Sequence, residues 1–195
     1  MSENFDPNRY AVITEKNPRE IVMLRGSGSF IDLDEQTLHL IEEVCRDKKI
    51  TELHFECHWM HRSAIPALRE RFQKIGVTVK VKIGVETFDA LFLESYLVKG
   101  IEEENPAMIA ADFDEVCLLQ GIPGQTAESM TADIETGLTY FERVCVNIMT
   151  PNTKQIKPDP RVIETFRRNV YPRYADNDRV DILMENTDFG VGGEK

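Results

Sequence analysis

At 195 residues the chain has room for one domain with a sizeable core, and not for two ordinary ones. With 42% hydrophobic and 29% charged residues it reads as globular rather than disordered. Acidic residues outnumber basic ones by 34 to 23, and a net charge of −11 argues against non-specific grip on nucleic acid or an anionic membrane. No apolar run approaches the roughly 18 residues of a membrane span, and residues 1–6 are too polar to open a signal peptide. The four cysteines, Cys45, Cys57, Cys117 and Cys145, lie far apart with no pair at metal-ligand spacing, which predicts reduced, buried thiols in a cytoplasmic protein.

In chain order, residues 1–18 are polar and read as an irregular arm. The run IVML at 21–24 predicts a short strand that stops at Gly26-Ser27-Gly28-Ser29. A helix starting near Asp34 lines up Leu38, Ile41, Val44 and Cys45 on one stripe. Residues 51–57 predict a strand. Ser63 then reads as the cap of a helix with Pro66 in its first turn and Ile65, Leu68, Phe72 and Ile75 inward. Strict alternation of Val77, Val79, Val81, Ile83 and Val85 predicts the next strand. A helix from Phe88 should end at Gly100, and a short helix at 106–111 precedes a strand at 115–120. Thr126 caps a helix with Met130, Ile134 and Leu138 inward, and a strand follows at 144–149. Asp159-Pro160 opens a helix with Val162, Ile163 and Phe166 on its apolar stripe. A last strand at 180–184 leads to a loose tail at 190–195.

Strands alternating with helices point to an α/β fold with parallel strands, either an open doubly wound sheet or a partial barrel. The strand faces favour the barrel. Branched apolar residues occupy one face of residues 77–86, while Lys80, Lys82, Gly84 and Glu86 share the other. Leu53, Phe55 and Cys57 likewise oppose His54, Glu56 and His58. One apolar and one polar face suit a sheet with helices outside and a site inside, near the strand carboxyl ends.

Several constellations could carry chemistry. His54, Glu56 and His58 share a strand face, with His61 just beyond, and two imidazoles with a carboxylate could hold zinc or iron, although no spaced motif accompanies them. Glu56 and Glu86 end strands on the polar face, where each could accept hydrogen bonds from a ligand's hydroxyls or pair with Lys80 or Lys82. Gly121-Ile122-Pro123-Gly124-Gln125-Thr126 follows a strand and opens a helix. The backbone amides at that helix start could receive an anion, or the run could be a tight turn passing close to a ligand or a neighbouring strand. It lacks the lysine of a phosphate loop. No serine nucleophile elbow is present, and Cys57 falls on the helix side of its strand, as a structural thiol would.

Four segments together resemble the radical S-adenosylmethionine (SAM) superfamily, in particular a bacterial group of Fe-S oxidoreductases. "LHFECH" is similar to the third barrel strand, and "VKIGVETFDALFLESYLVKGI" to the fourth strand with its turn and helix. "EVCLLQGIPGQTAESMTADI" is similar to the fifth strand and its glycine-rich turn, and "REIVMLRGSG" to the first strand. The resemblance implies a partial (β/α) barrel over residues 19–189 that binds SAM across its strand ends. It also implies a [4Fe–4S] cluster that cleaves SAM reductively to a radical. By the same resemblance Glu56 is the third-strand carboxylate near the ligand, and Glu86 the acceptor near its ribose. Gly121 and Pro123 belong to the turn that adenine approaches.

The chain departs from the family in lacking the Cys-x3-Cys-x2-Cys triplet that holds the cluster. Between Arg25 and Asp34 only eight residues intervene, the first four of them Gly26-Ser27-Gly28-Ser29, where the resemblance implies a cluster loop, a helix and a second strand. About one β/α unit is thus missing, with one strand at 21–24 serving for two. The expectation is a radical SAM-like domain that keeps a small-molecule site without catalysing the parent reaction. A scaffold or partner subunit is the alternative, and a mononuclear metal enzyme using His54, Glu56 and His58 a further one.

Overall fold

The structure is a computed structural model that describes residues 11–13, 20–23, 29–92, 100–151 and 157–184. The expected link at Gly26 to Gly28 and the tail at 190–195 lie outside these residues. The chain divides into two compact units, Met1–Ile83 and Gly84–Lys195.

In the first unit β1 (Ala11–Ile13) pairs antiparallel with β2 (Glu20–Met23), with Ala11 opposite Met23. The stretch expected to be an irregular arm thus contains a strand. Its three apolar residues are a minimal strand signal, and what fixes them is the partner. β2 pairs parallel with β3 (Glu52–Glu56), which pairs parallel with β4 (Thr78–Glu86) from Glu52↔Thr78 to Glu56↔Lys82.

Between β2 and β3 runs α1 (Glu35–Lys48), whose first turn is closed by Asp34 Oδ1 accepting from the Thr37 amide at 2.7 Å. Leu38, Ile41 and Cys45 are buried on its inner stripe and Val44 is half-buried. The α2 helix (Ile65–Gln73) is not capped by Ser63 as its sequence suggests. A 3-10 segment at Trp59–Ala64 runs straight into it, so Ser63 is already inside a helical turn and no side chain caps the junction. Its buried Phe72 packs against Phe55 of β3 with ring centroids 5.5 Å apart, and Phe55 also meets Phe30 at 6.2 Å. Leu53, Phe55 and Cys57 therefore face α2, which is the apolar side expected of this strand.

In the second unit, residues 84–86 complete β4 and a helical turn follows at Ala90–Phe92. The helix expected to continue to Gly100 passes through residues 93–99, which lie outside the described residues; Gly100 itself has φ +64°. Then come α3 (Pro106–Ile109), β5 (Glu115–Gln120), α4 (Ala127–Tyr140), β6 (Arg143–Ile148), α5 (Pro160–Thr165), α6 (Tyr171–Tyr174) and β7 (Val180–Leu183). β5, β6 and β7 are parallel, in register Cys117↔Cys145 and Cys145↔Asp181. Val116, Cys117 and Leu118 of β5 are all buried, so this strand is covered on both faces.

The α4 helix packs closely on β5 and β6 because residue 137 is glycine. A Cβ there would lie 2.7 Å from Val144 Cγ2 and 3.2 Å from Val116 Cγ1. A five-residue π turn at Phe166–Val170 links α5 to α6. Pro172, one residue into α6, has no amide hydrogen and its ring crowds the carbonyl four residues back, which a wider turn accommodates. Phe166, Val170 and Tyr174 remain buried on one stripe through this change of pitch. Among the described residues no helix is long and apolar enough to cross a membrane.

Candidate functional site

Glu86 is the last residue of β4 and has φ +75°. Only Glu86 and Lys49 among the described non-glycine residues take a positive φ. The left-handed region costs an ordinary residue roughly 1–2 kcal/mol, so the surrounding structure must hold Glu86 there. The residues that follow are closely tied to their surroundings. Thr87 is buried, the Phe88 amide donates to Asp133 Oδ1 of α4 at 2.8 Å, and the Asp89 amide donates to Thr87 Oγ1 at 3.1 Å. The Phe88 ring stacks on Phe141 at 6.2 Å. Asp133 is 4% exposed, and burial pushes its carboxyl up to about 6 against the help of the Phe88 amide and the Thr87 hydroxyl. Glu86 stays half-buried at the strand's carboxyl end.

The turn after β5 is built differently. Ile122-Pro123-Gly124-Gln125 closes with the Gln125 amide donating to the Ile122 carbonyl at 3.1 Å, and Gly124 takes φ +95° beside Pro123, which is how proline and glycine divide a type II turn. Gln125 Oε1 accepts from the Gly121 and Ile122 amides at 3.0 and 2.9 Å, while its Nε2 donates to the Leu119 carbonyl at 3.0 Å. The Gly121 carbonyl accepts from the Asp159 amide and the Gln120 carbonyl from the Met149 amide. Thr126 and Ser129 close the start of α4 reciprocally.

The Gly121 and Ile122 amides are taken by Gln125, within the turn itself. The run is a tight turn, and the element it passes close to is the helix α5, where the sequence suggests a ligand or a neighbouring strand. At Gly121, with φ +102°, a Cβ would sit 2.8 Å from Ile163 Cγ1. A Cβ at Gly124 would lie 3.4 Å from the Phe92 ring, so the turns after β4 and β5 lie side by side.

The first unit treats its polar residues otherwise. Glu56 ends β3 half-buried and stands opposite Lys82 in the ladder, a carboxylate across from an ammonium, with His54 opposite Lys80. His54 is buried, with Nε2 3.2 Å from Glu52 Oε1. His58 turns away to accept the Met60 amide on Nδ1 at 3.3 Å, and its ring meets His61 edge-on. Among the described residues no three His, Cys, Asp or Glu side chains come together to hold a metal ion, so the set His54, Glu56 and His58 is not assembled. Alternate residues of a strand are nearly 7 Å apart, and two of these three have turned to local partners.

The four cysteines do not carry the Cys-x3-Cys-x2-Cys spacing in sequence. Cys117 and Cys145 stand abreast in β5 and β6, but Cys45 is on α1 and Cys57 follows β3. All four are buried and none is in a disulfide, and burial raises the Cys45 thiol to about 11 and Cys57 above its ordinary value. Cys57 donates to the His58 carbonyl at 3.3 Å, as a structural thiol.

Comparison with solved structures finds a queuine lyase from Clostridium spiroforme, bound to SAM and queuine. It is 37% identical, matches 89% of this chain and 73% of its own, and superposes with a TM-score of 0.79. The chain belongs to the radical SAM superfamily. Its fold class is that of the superfamily, an α/β partial barrel with parallel strands. A scan against protein-family models and a search of the curated proteins each found no match.

Membership gives Glu86 and the turn at 121–125 a common context, the carboxyl ends of strands in a fold whose queuine lyase member is bound to SAM. Sequence reasoning named Glu86, Gly121 and Pro123 but overlooked Gln125 and Asp133. The signal for Asp133 was available, since it lies on the stripe of Met130, Ile134 and Gly137, where an acid has no ordinary place.

Proposed function

We propose that this radical SAM protein binds SAM at the strand ends of its second unit and, with the cysteines it has, does not cleave it reductively. Glu86 receives the ribose hydroxyls, because an ionised carboxylate is purely an acceptor and two adjacent hydroxyls supply two donors. Gly121 and Pro123 offer adenine a flat, fixed edge. The observation that carries the reading is the held left-handed backbone of Glu86, at the position where the sequence "GVETFD" resembles the family's fourth strand end. Glu56 remains an acceptor for the same ligand class by resemblance alone.

The [4Fe–4S] cluster of the family would supply the electron for SAM cleavage. The chain's own thiols do not make the Cys-x3-Cys-x2-Cys set, so no step runs through it here. Queuine, which the solved relative binds, is the first compound to try as second ligand.

Calorimetric titration with SAM tests the reading. Measurable heat is expected for the wild-type chain, with affinity lowered about tenfold or more by Glu86→Ala, the loss of hydrogen bonds to a charged acceptor. No heat and no thermal shift at millimolar SAM would sink it. Anaerobic reconstitution should leave the protein without the brown absorbance of a bound cluster. A scaffold role is the second reading, favoured by the missing triplet; binding of a protein partner unchanged by Glu86→Ala would support it.

A further inference from the structure

We propose that Asp133 is a positioning residue for Glu86: from α4 it holds the Phe88 amide and the Thr87 hydroxyl, and so keeps the end of β4 in the conformation that presents the Glu86 carboxylate to a ribose-bearing ligand. This rests on the reading of Glu86 given above and adds a residue that need not touch the ligand.

The geometry carries it. Glu86 has a positive φ that glutamate does not choose for itself. The two residues after it are both fixed by α4, through the 2.8 Å bond from the Phe88 amide to Asp133 and the stack of Phe88 on Phe141 at the helix's far end. Thr87 is 1% exposed and bonds both to Asp133 and to the Asp89 amide, which closes the turn. Asp133 spans 45 residues of sequence to make this contact and is itself 4% exposed. A carboxylate on an apolar helix stripe is costly to bury, and its bonding here is spent on the two residues that follow Glu86. Without it, Glu86 relaxes toward the ordinary extended region, and the fraction of molecules ready to bind falls, lowering apparent affinity by the same factor.

The test is calorimetry with SAM on the full chain as wild type, Glu86→Ala, Asp133→Ala, Asp133→Asn and the double variant Glu86→Ala/Asp133→Ala. Asp133→Ala should weaken binding about fivefold. Asp133→Asn should restore it, because the amide oxygen still accepts from Phe88. In the Glu86→Ala background Asp133→Ala should change nothing further, a non-additivity that a merely structural role would not produce. Where Asp133→Ala does not fold, Thr87→Ala takes its place with the same expectation. If Glu86→Ala weakens binding and Asp133→Ala (or Thr87→Ala) does not, or if their losses add, the positioning role is wrong and the reading of Glu86 stands. If Glu86→Ala binds SAM like the wild type, the reading of Glu86 falls and the positioning role with it.

Discussion

After β5 the chain turns with its inward-facing backbone groups answered by one neutral amide, Gln125, whereas after β4 it turns with a buried carboxylate, Asp133, reaching in from a helix. A carboxamide both donates and accepts, so Gln125 serves two amides and a carbonyl from within the turn, at any pH. A carboxylate only accepts, resists burial and responds to protons. The first turn is self-contained. The second depends on a distant element, which ties its shape to the seating of α4.

Removing the internal amide should have the largest effect. Gln125→Ala leaves the buried Gly121 and Ile122 amides and the Leu119 carbonyl unanswered, and is expected to cost on the order of 4 kcal/mol in urea denaturation. A loss below about 1 kcal/mol would mean that water replaces it and that the turn is not self-contained.

The carboxylate is distinguished by its pH response. The Asp133 carboxyl is raised from 3.8 to about 6, so between these values the folded chain holds a proton that the unfolded chain has released. Its contribution to stability is therefore greatest below about pH 4, falls as pH rises through about 6, and is level above. Asp133→Asn abolishes the titration, so relative to the wild type it should gain roughly 3 kcal/mol between about pH 4 and pH 7. Denaturation curves for both proteins across that range check this, and parallel pH profiles would contradict it.

The smallest change sharpens the comparison. Thr87→Val removes one hydroxyl from the clamp and should cost about 1 kcal/mol in thermal denaturation. A cost as large as that of Gln125→Ala would erase the contrast between the two turns.

What could be read from the sequence was local. Thr126 and Asp159 announce their helices because a cap and its amides lie within three residues of each other. The strand at 115–120 matches its expected bounds because its branched and apolar residues form an unbroken run. Ser63 misled because a serine before a proline looks the same whether the chain arrives extended or, as here, already coiled in a 3-10 segment. The half-polar faces read in β3 and β4 are a matter of residue type, since His54 and Lys82 on the polar side are buried too, as Cys117 is in β5 beside Cys145 of the next strand. Motif similarity singled out Glu86 as a candidate but gave no hint of its left-handed backbone, since glutamate gives no warning of one. Asp133, which accepts from the Phe88 amide, lies 45 residues downstream, beyond the reach of any local pattern.

Gly137 lies one helical turn beyond Asp133 on the same face of α4, in near contact with Val144 and Val116. It acts as a depth gauge for the helix. Any side chain there would lift α4 from β5 and β6 and withdraw the Asp133 carboxylate from Phe88 by the same movement. A substitution in a purely hydrocarbon layer would thus reach the turn after β4 without touching it, so the depth of one helix sets the shape of a loop that it does not contain.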